Sequence, residues 1–199
     1  MAAPARADAR AIDVEVTRLD GSRISLRTLS AEGPLLVVLT RHFGCPGCSR
    51  TITELVSRLD ELAALGVRVA VIGPGSIAHA RAFLSRHGLS RQDLSRGGDP
   101  RWELLCDPDA RAYAALEMQR SVWAAYGPAG VLAQARLAAQ GFLARGPQGE
   151  TTWLGGWLLL DRGEVVTLHR TARVADSPRA IDVLDDVLCF VARTSALPV

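Results

Sequence analysis

The sequence predicts an α/β protein in three layers, with a mixed central sheet, an N-terminal β-hairpin and a helical insert before the last hairpin. Three observations carry this. The runs Leu35-Leu36-Val37-Val38-Leu39 and Val67-Arg68-Val69-Ala70-Val71-Ile72 read as strands covered on both faces, as in the middle of an α/β sheet. Between them Ile52, Leu55, Val56, Leu59, Leu62 and Leu65 recur at helical spacing, which makes a βαβ unit with parallel strands and a right-handed crossover. Near the C-terminus Trp157–Leu160 and Val165–Leu168 flank Asp161-Arg162-Gly163, an antiparallel hairpin signal. With 199 residues, 48% of them hydrophobic, the chain suits one domain over 12–199, preceded by a flexible arm over 1–11.

In chain order, Ile12–Leu19 and Arg23–Leu29 alternate apolar and polar residues around Asp20-Gly21, a hairpin with a tight turn. Glu32-Gly33-Pro34 breaks the chain before the first buried strand. The long helix starts near Ser49 and ends at Gly66, its C-cap. After the second strand, Ser76 caps a helix through His87 that stops at Gly88. The glycine-rich loop Gly73-Pro74-Gly75-Ser76 lacks the Lys-Ser/Thr of a phosphate-binding loop and is loop geometry. Ser90–Arg101 is an exposed connection. Trp102–Cys106 is a short strand, and Asp107-Pro108 caps and opens a helix through Leu116. Residues 118–145 form the insert, broken by Gly127-Pro128 into two helical pieces; core packing and a lid over the cysteines are preferred to a dimer contact or a membrane-surface helix. Gly146-Pro147-Gln148-Gly149 ends the insert. Pro178 opens a last helix, with Ile181, Leu184, Val187, Leu188 and Val191 on one face. Cys106 and Cys189 read as buried small hydrophobes.

All 23 basic residues are arginine, against 21 acids. A net charge of +2 with no basic run among aromatics gives no argument for nucleic acid. Nothing resembles a secretory signal or a membrane span, so the expected location is cytoplasmic.

The chemistry concentrates in Thr40-Arg41-His42-Phe43-Gly44-Cys45-Pro46-Gly47-Cys48. Two cysteines separated by two residues, between a buried strand and a helix, form a redox signature. Unpaired N–H groups and the dipole at a helix N-terminus favour thiolate, the nucleophile in disulfide exchange and in attack on peroxides. The second cysteine, one turn on, can trap a mixed disulfide or a sulfenic acid. A zinc half-site and a structural disulfide are the competing readings. The first lacks a second ligand pair, since Cys106, Cys189, His42, His79, His87 and His169 show no ligand spacing; the second is disfavoured in a reducing compartment. Redox chemistry is preferred to both.

The succession of hairpin, strand–CxxC–helix–strand, terminal hairpin and helix resembles the thioredoxin fold. More narrowly, Leu36–Cys48, Gly66–Ser76 and Gly155-Gly156-Trp157-Leu158-Leu159-Leu160-Asp161 are similar to the AhpC/TSA peroxiredoxin-like family, in its peroxiredoxin-like 2 branch. The resemblance covers most of Ile12–Val191 and implies a thiol-dependent reductase of peroxides or endoperoxides, turned over by thioredoxin or a similar donor, with no cofactor: no flavin, haem or metal. Carried over, Cys45 and Cys48 are the redox pair. Cys45, nearer the loop, is expected to be more exposed and to attack; Cys48 resolves. Typical peroxiredoxins resemble one another in a Pro-x-x-x-Thr-x-x-Cys block, which neither cysteine supplies here, and Gly155 stands where they carry an arginine. Arg41, His42 and Arg120 are candidates to stabilise thiolate or substrate instead. Phe43, Pro46 and Tyr126 are candidates for the substrate pocket. Two alternatives stay open: a thioredoxin-like disulfide reductase or dedicated biosynthetic redox enzyme, and a non-enzymatic redox-sensing protein whose disulfide changes partner binding. A homodimer is a further candidate assembly.

Overall fold

The computed structural model describes residues 11–89, 100–146, 148–171 and 179–195. Seven strands form one mixed sheet in the order β2-β1-β5-β4-β3-β6-β7. β3 (Leu35–Leu39), β4 (Arg68–Gly73) and β5 (Trp102–Cys106) run parallel, whereas β6 (Gly156–Asp161) and β7 (Glu164–Arg170) are antiparallel on one side, and β1 (Glu15–Thr17) and β2 (Arg23–Ser25) on the other. Among the described residues the helices are α1 (Leu26–Leu29), α2 (Pro46–Val56), α3 (Leu59–Ala64), α4 (Ile77–Arg86), α5 (Arg111–Ala115), α6 (Val122–Tyr126), α7 (Pro128–Ala139) and α8 (Ala180–Ser195).

Alternation along β3 explains the three layers. Leu36 and Val38 pack with Ile52 and Leu55 of α2, Phe83 of α4 and Val187 of α8. Leu35, Val37 and Leu39 face the opposite layer, with Leu26 and Leu29 of α1, Tyr113 of α5 and Trp153. β3 is flanked by β4 and β6, so its C-terminal end, and the loop leaving it, is held on both sides.

Four sequence expectations are corrected. Leu26–Leu29 is a helical turn instead of strand, because the Ser25 hydroxyl accepts from the Thr28 amide and caps it. The long helix starts earlier, at Pro46, and breaks after Val56: Ser57 Oγ donates to the Glu54 carbonyl at 2.7 Å and the Arg58 amide makes a tighter turn to Leu55 O. Pro108 precedes α5, although Asp107 does cap it by accepting from the Arg111 and Ala112 amides. In α8 the buried stripe runs through Ala180, Val183, Leu184, Val187 and Phe190; Leu188 and Cys189 fall off this spacing and are exposed. Cys106 is buried. Ala11, assigned to the arm, bridges Glu164; the remaining arm, most of the 90–101 connection, Pro147, Pro178 and the Ile181 side chain lie outside the described residues. No helix among them is long and apolar enough to cross a membrane.

Candidate active site

The loop between β3 and α2 is shaped by its own backbone. Thr40 continues the β3 pairing through its amide to Ile72 O, and the Cys45 amide turns back to His42 O. His42 Nδ1 accepts from the Gly44 amide at 3.1 Å. Pro46 occupies the first helical position, where a missing N–H is harmless. Cys45 is thereby the N-cap of α2 and Cys48 lies within its first turn.

Both thiols are free and buried. Arg41 touches each of them. Its backbone amide donates to Cys48 Sγ at 3.2 Å, and its Nη1 lies 3.7 Å from Cys45 Sγ. A second guanidinium nitrogen reaches Thr151 O at 3.4 Å. The Arg41 side chain is 3% exposed, so its charge acts with little screening by water. The Cys48 thiol donates to Cys45, which brings the Cys45 thiol down to about 6 against the cost of burial; Arg41 and the amides of Gly47 and Cys48 assist. The same hydrogen bond, with burial, pushes Cys48 far up. One sulfur is a thiolate at neutral pH and the other keeps its proton.

The remaining candidates divide. His42 is buried, and desolvation together with Arg41 lowers its pKa to about 4, so it is a neutral acceptor that shapes the loop and carries no positive charge at pH 7. Arg120 is ion-paired to Glu150, bonded to Thr152 and stacked on Trp153 at 4.7 Å, without contact to either sulfur. Phe43 is 1% exposed, beside Phe83 and against Gly73 and Gly75, and is core. Pro46 and Tyr126 do line one cavity of about 230 Å³, with Arg41, His42, Gln134 and Arg145.

Cys45 is not the more exposed cysteine: it is 0% exposed against 9% for Cys48. The tail of the insert covers it. The Arg145 amide donates to Gly44 O at 3.1 Å, and a Cβ on Gly44 would stand 2.6 Å from Gly146 O. Arg86 ties the same segments together, donating to Phe43 O and Gln148 Oε1, each at 3.0 Å. Cys48 borders a cleft of about 20 Å³ with Thr40, Thr51, Gly155 and Thr171, room for a single water-sized solute. Gly155 is required there, since a Cβ would lie 2.6 Å from Leu39 O.

Sequence reasoning missed Tyr113. Its buried hydroxyl approaches Thr40 O at 2.5 Å and Ile72 O at 3.0 Å, tying the ends of β3 and β4 beneath the redox loop. No local signal marks it, because it acts across 73 positions of sequence. Among the described residues no three His, Cys, Asp or Glu side chains gather as a metal site.

Comparison with known proteins agrees with this architecture. The sequence model of the AhpC/TSA antioxidant enzyme family matches residues 54–173, more than half of the chain, beginning beyond both cysteines. The chain is 32% identical over 115 residues to the thioredoxin-like protein AAED1, chloroplastic, of Arabidopsis thaliana, covering 58% of this chain and 42% of that protein. It is 28% identical over 174 residues to the prostamide/prostaglandin F synthase of Salmo salar, covering 85% and 80%. The peroxidoxin BcpB of Mycobacterium tuberculosis has the same fold, with a TM-score of 0.62 at 13% identity over 94% of this chain and 96% of that one.

Proposed function

The chain belongs to the AhpC/TSA antioxidant enzyme family, and on that premise we propose that it is a dithiol oxidoreductase reducing peroxide or endoperoxide substrates. The supporting observation is the placement of the Cys45 sulfur beside the Arg41 guanidinium at the start of α2, where the Cys48 thiol and Arg41 bring its pKa down to about 6. In the proposed cycle Cys45 attacks the distal oxygen of a hydroperoxide. An S–O bond forms as the O–O bond breaks, and the departing alkoxide takes a proton from solvent. Cys45 is then a sulfenic acid. Cys48 attacks the Cys45 sulfur; its proton leaves with the hydroxyl as water, and a Cys45–Cys48 disulfide remains. A thioredoxin-type dithiol returns two electrons and two protons. With an endoperoxide the first step opens the ring to a sulfenate ester, and Cys48 releases the second oxygen as a hydroxyl. A cytoplasmic, reducing setting fits this turnover.

Arg41 takes the place of the missing threonine and arginine in this reading. A preorganised donor aimed at developing charge contributes roughly 3 kcal/mol to such a step. Hydroperoxide consumption coupled to thioredoxin oxidation tests the proposal. Turnover should vanish in Cys45→Ser and fall at least tenfold in Cys48→Ser; turnover persisting in both would defeat it. Reduction of insulin disulfides without any consumption of peroxide would instead favour the disulfide-reductase alternative.

A further inference from the structure

The small cleft of about 20 Å³ that borders Cys48 has Thr40, Arg41, Thr51, Gly155 and Thr171 in its lining and, among the described residues, no carboxylate. Its polar groups are unevenly satisfied. The Thr51 hydroxyl donates to Gly47 O at 3.1 Å and the Thr171 hydroxyl to Gly155 O at 2.6 Å. Thr40 Oγ1 and Arg41 Nε have no hydrogen-bond partner, although the two residues are only 2% and 3% exposed. Buried polar groups left in this way cost stability unless a guest satisfies them. A hydroxyl and a guanidinium N–H side by side suit an anion, to which both donate.

Oxidation sharpens that demand. In the dithiol form the Cys45 sulfur stands 3.7 Å from Arg41 Nη1 and titrates at about 6, so at neutral pH the guanidinium faces an anion. Its other hydrogen bond goes to a neutral oxygen, Thr151 O, at 3.4 Å. A Cys45–Cys48 disulfide removes the thiolate and leaves a buried guanidinium without its anion, a costly arrangement. An anion that enters the cleft restores the balance. It arrives beside Cys48, since Cys45 does not line this space. There is room for one water-sized solute, which shuts out thiolates that carry a carbon chain.

The geometry points to hydrosulfide as a second reductant of the oxidised protein, entering through the cleft and attacking Cys48. A new S–S bond forms between the incoming sulfur and Cys48 Sγ as the Cys45–Cys48 bond breaks. The electron pair of the broken bond goes to Cys45, which returns to Arg41 as a thiolate. The sulfide sulfur is oxidised, leaving a Cys48 persulfide, and one negative charge enters for the one regenerated. Cys45 is the better leaving group, because its thiol is the more acidic of the two and low-pKa thiolates leave faster. This activity goes beyond the proposed peroxide reduction and shares with it only the Cys45–Cys48 disulfide, which diamide forms without peroxide.

Two measurements on diamide-oxidised Cys189→Ser protein test this. The rate constants of hydrosulfide and of the 2-mercaptoethanol thiolate give a ratio, and 2-hydroxyethyl disulfide, open from every side, gives the reference ratio. The protein's ratio should exceed the reference by roughly tenfold, the size expected for one charge-assisted contact. Thr40→Val should lose most of that excess and Thr40→Ser should keep it, whereas a merely structural role for Thr40 would move both nucleophiles alike. A ratio at or below the reference, or one that Thr40→Val leaves unchanged, overturns the assignment. The second measurement traps the product with iodoacetamide and locates it by peptide fragmentation in the mass spectrometer. One extra sulfur on Cys48 supports the site; the extra sulfur on Cys45, or none on either, contradicts it. Neither measurement uses peroxide, so a failure of peroxide turnover and a failure of this site are told apart.

Discussion

Arg41 and His42 are adjacent and both buried, yet they do opposite things. Arg41 sets its guanidinium against the Cys45 sulfur; His42 gives up its charge and accepts one backbone hydrogen bond. Replacing Arg41 with methionine keeps the stem and removes the charge. The pH midpoint of Cys45 alkylation, expected near 6 in the wild type, should rise by roughly one pH unit, since a nearby opposite charge favours the ionised form. Iodoacetamide rates across pH would show this, and an unmoved midpoint would mean that the Cys48 thiol and the backbone amides hold the thiolate without Arg41. His42 leaves its mark on stability. Unfolded, its imidazole takes a proton near pH 6.5; folded, it refuses one until about pH 4. Below pH 6.5 the unfolded state therefore binds more protons, and stability falls with falling pH by roughly 3 kcal/mol down to about pH 4. His42→Asn, which keeps an acceptor for the Gly44 amide, should flatten that acid limb in urea titrations at successive pH values.

The strand–loop–helix unit was legible because its signals are local: five apolar residues in a row, CxxC, and an apolar helical spacing from Ile52 onward. What covers it was not. The segment around Arg145 reaches Gly44 from 101 positions away in sequence, and neither residue type announces the contact. The same distance hid the burial of Arg41, which reads as one more surface arginine in a chain with 23 of them. Helix breaks were also hard to see: Leu59 and Leu62 keep the apolar spacing across the interruption at Ser57-Arg58, so periodicity alone runs through it. The cover has a direct test. Gly44→Ala puts a methyl group against the carbonyls of Arg145 and Gly146 and should displace the cover. Stability should drop by roughly 1–3 kcal/mol, the usual cost of overpacking, while alkylation of Cys45 becomes faster. Slower alkylation would show that the cover does not limit access.

The assembled protein sets the redox loop on the central sheet and covers it with the insert. The parallel strands and the β6–β7 hairpin fix the redox loop on both sides, Tyr113 ties it from below, and the tail of the insert, with Arg86 and Gln148, closes it from above. This division explains why the alternating and continuous apolar runs predicted the sheet, whereas the pocket depended on how the insert folds back. Phe43, placed in the pocket by its neighbours in sequence, instead fills space beneath Gly73 and Gly75, because a large ring in a tight loop goes wherever the core has room. The central claim is a division of labour within the pair: Cys45 meets the peroxide and Cys48 resolves it. In a background where exposed Cys189 is serine, Cys48→Ser treated with a stoichiometric amount of hydroperoxide should gain one oxygen on the Cys45 peptide in the mass spectrum. Restoring Cys48 should convert that species to a Cys45–Cys48 disulfide. Oxygen appearing instead on Cys48 in a Cys45→Ser protein, at a rate equal to or above that of Cys45, would contradict the account.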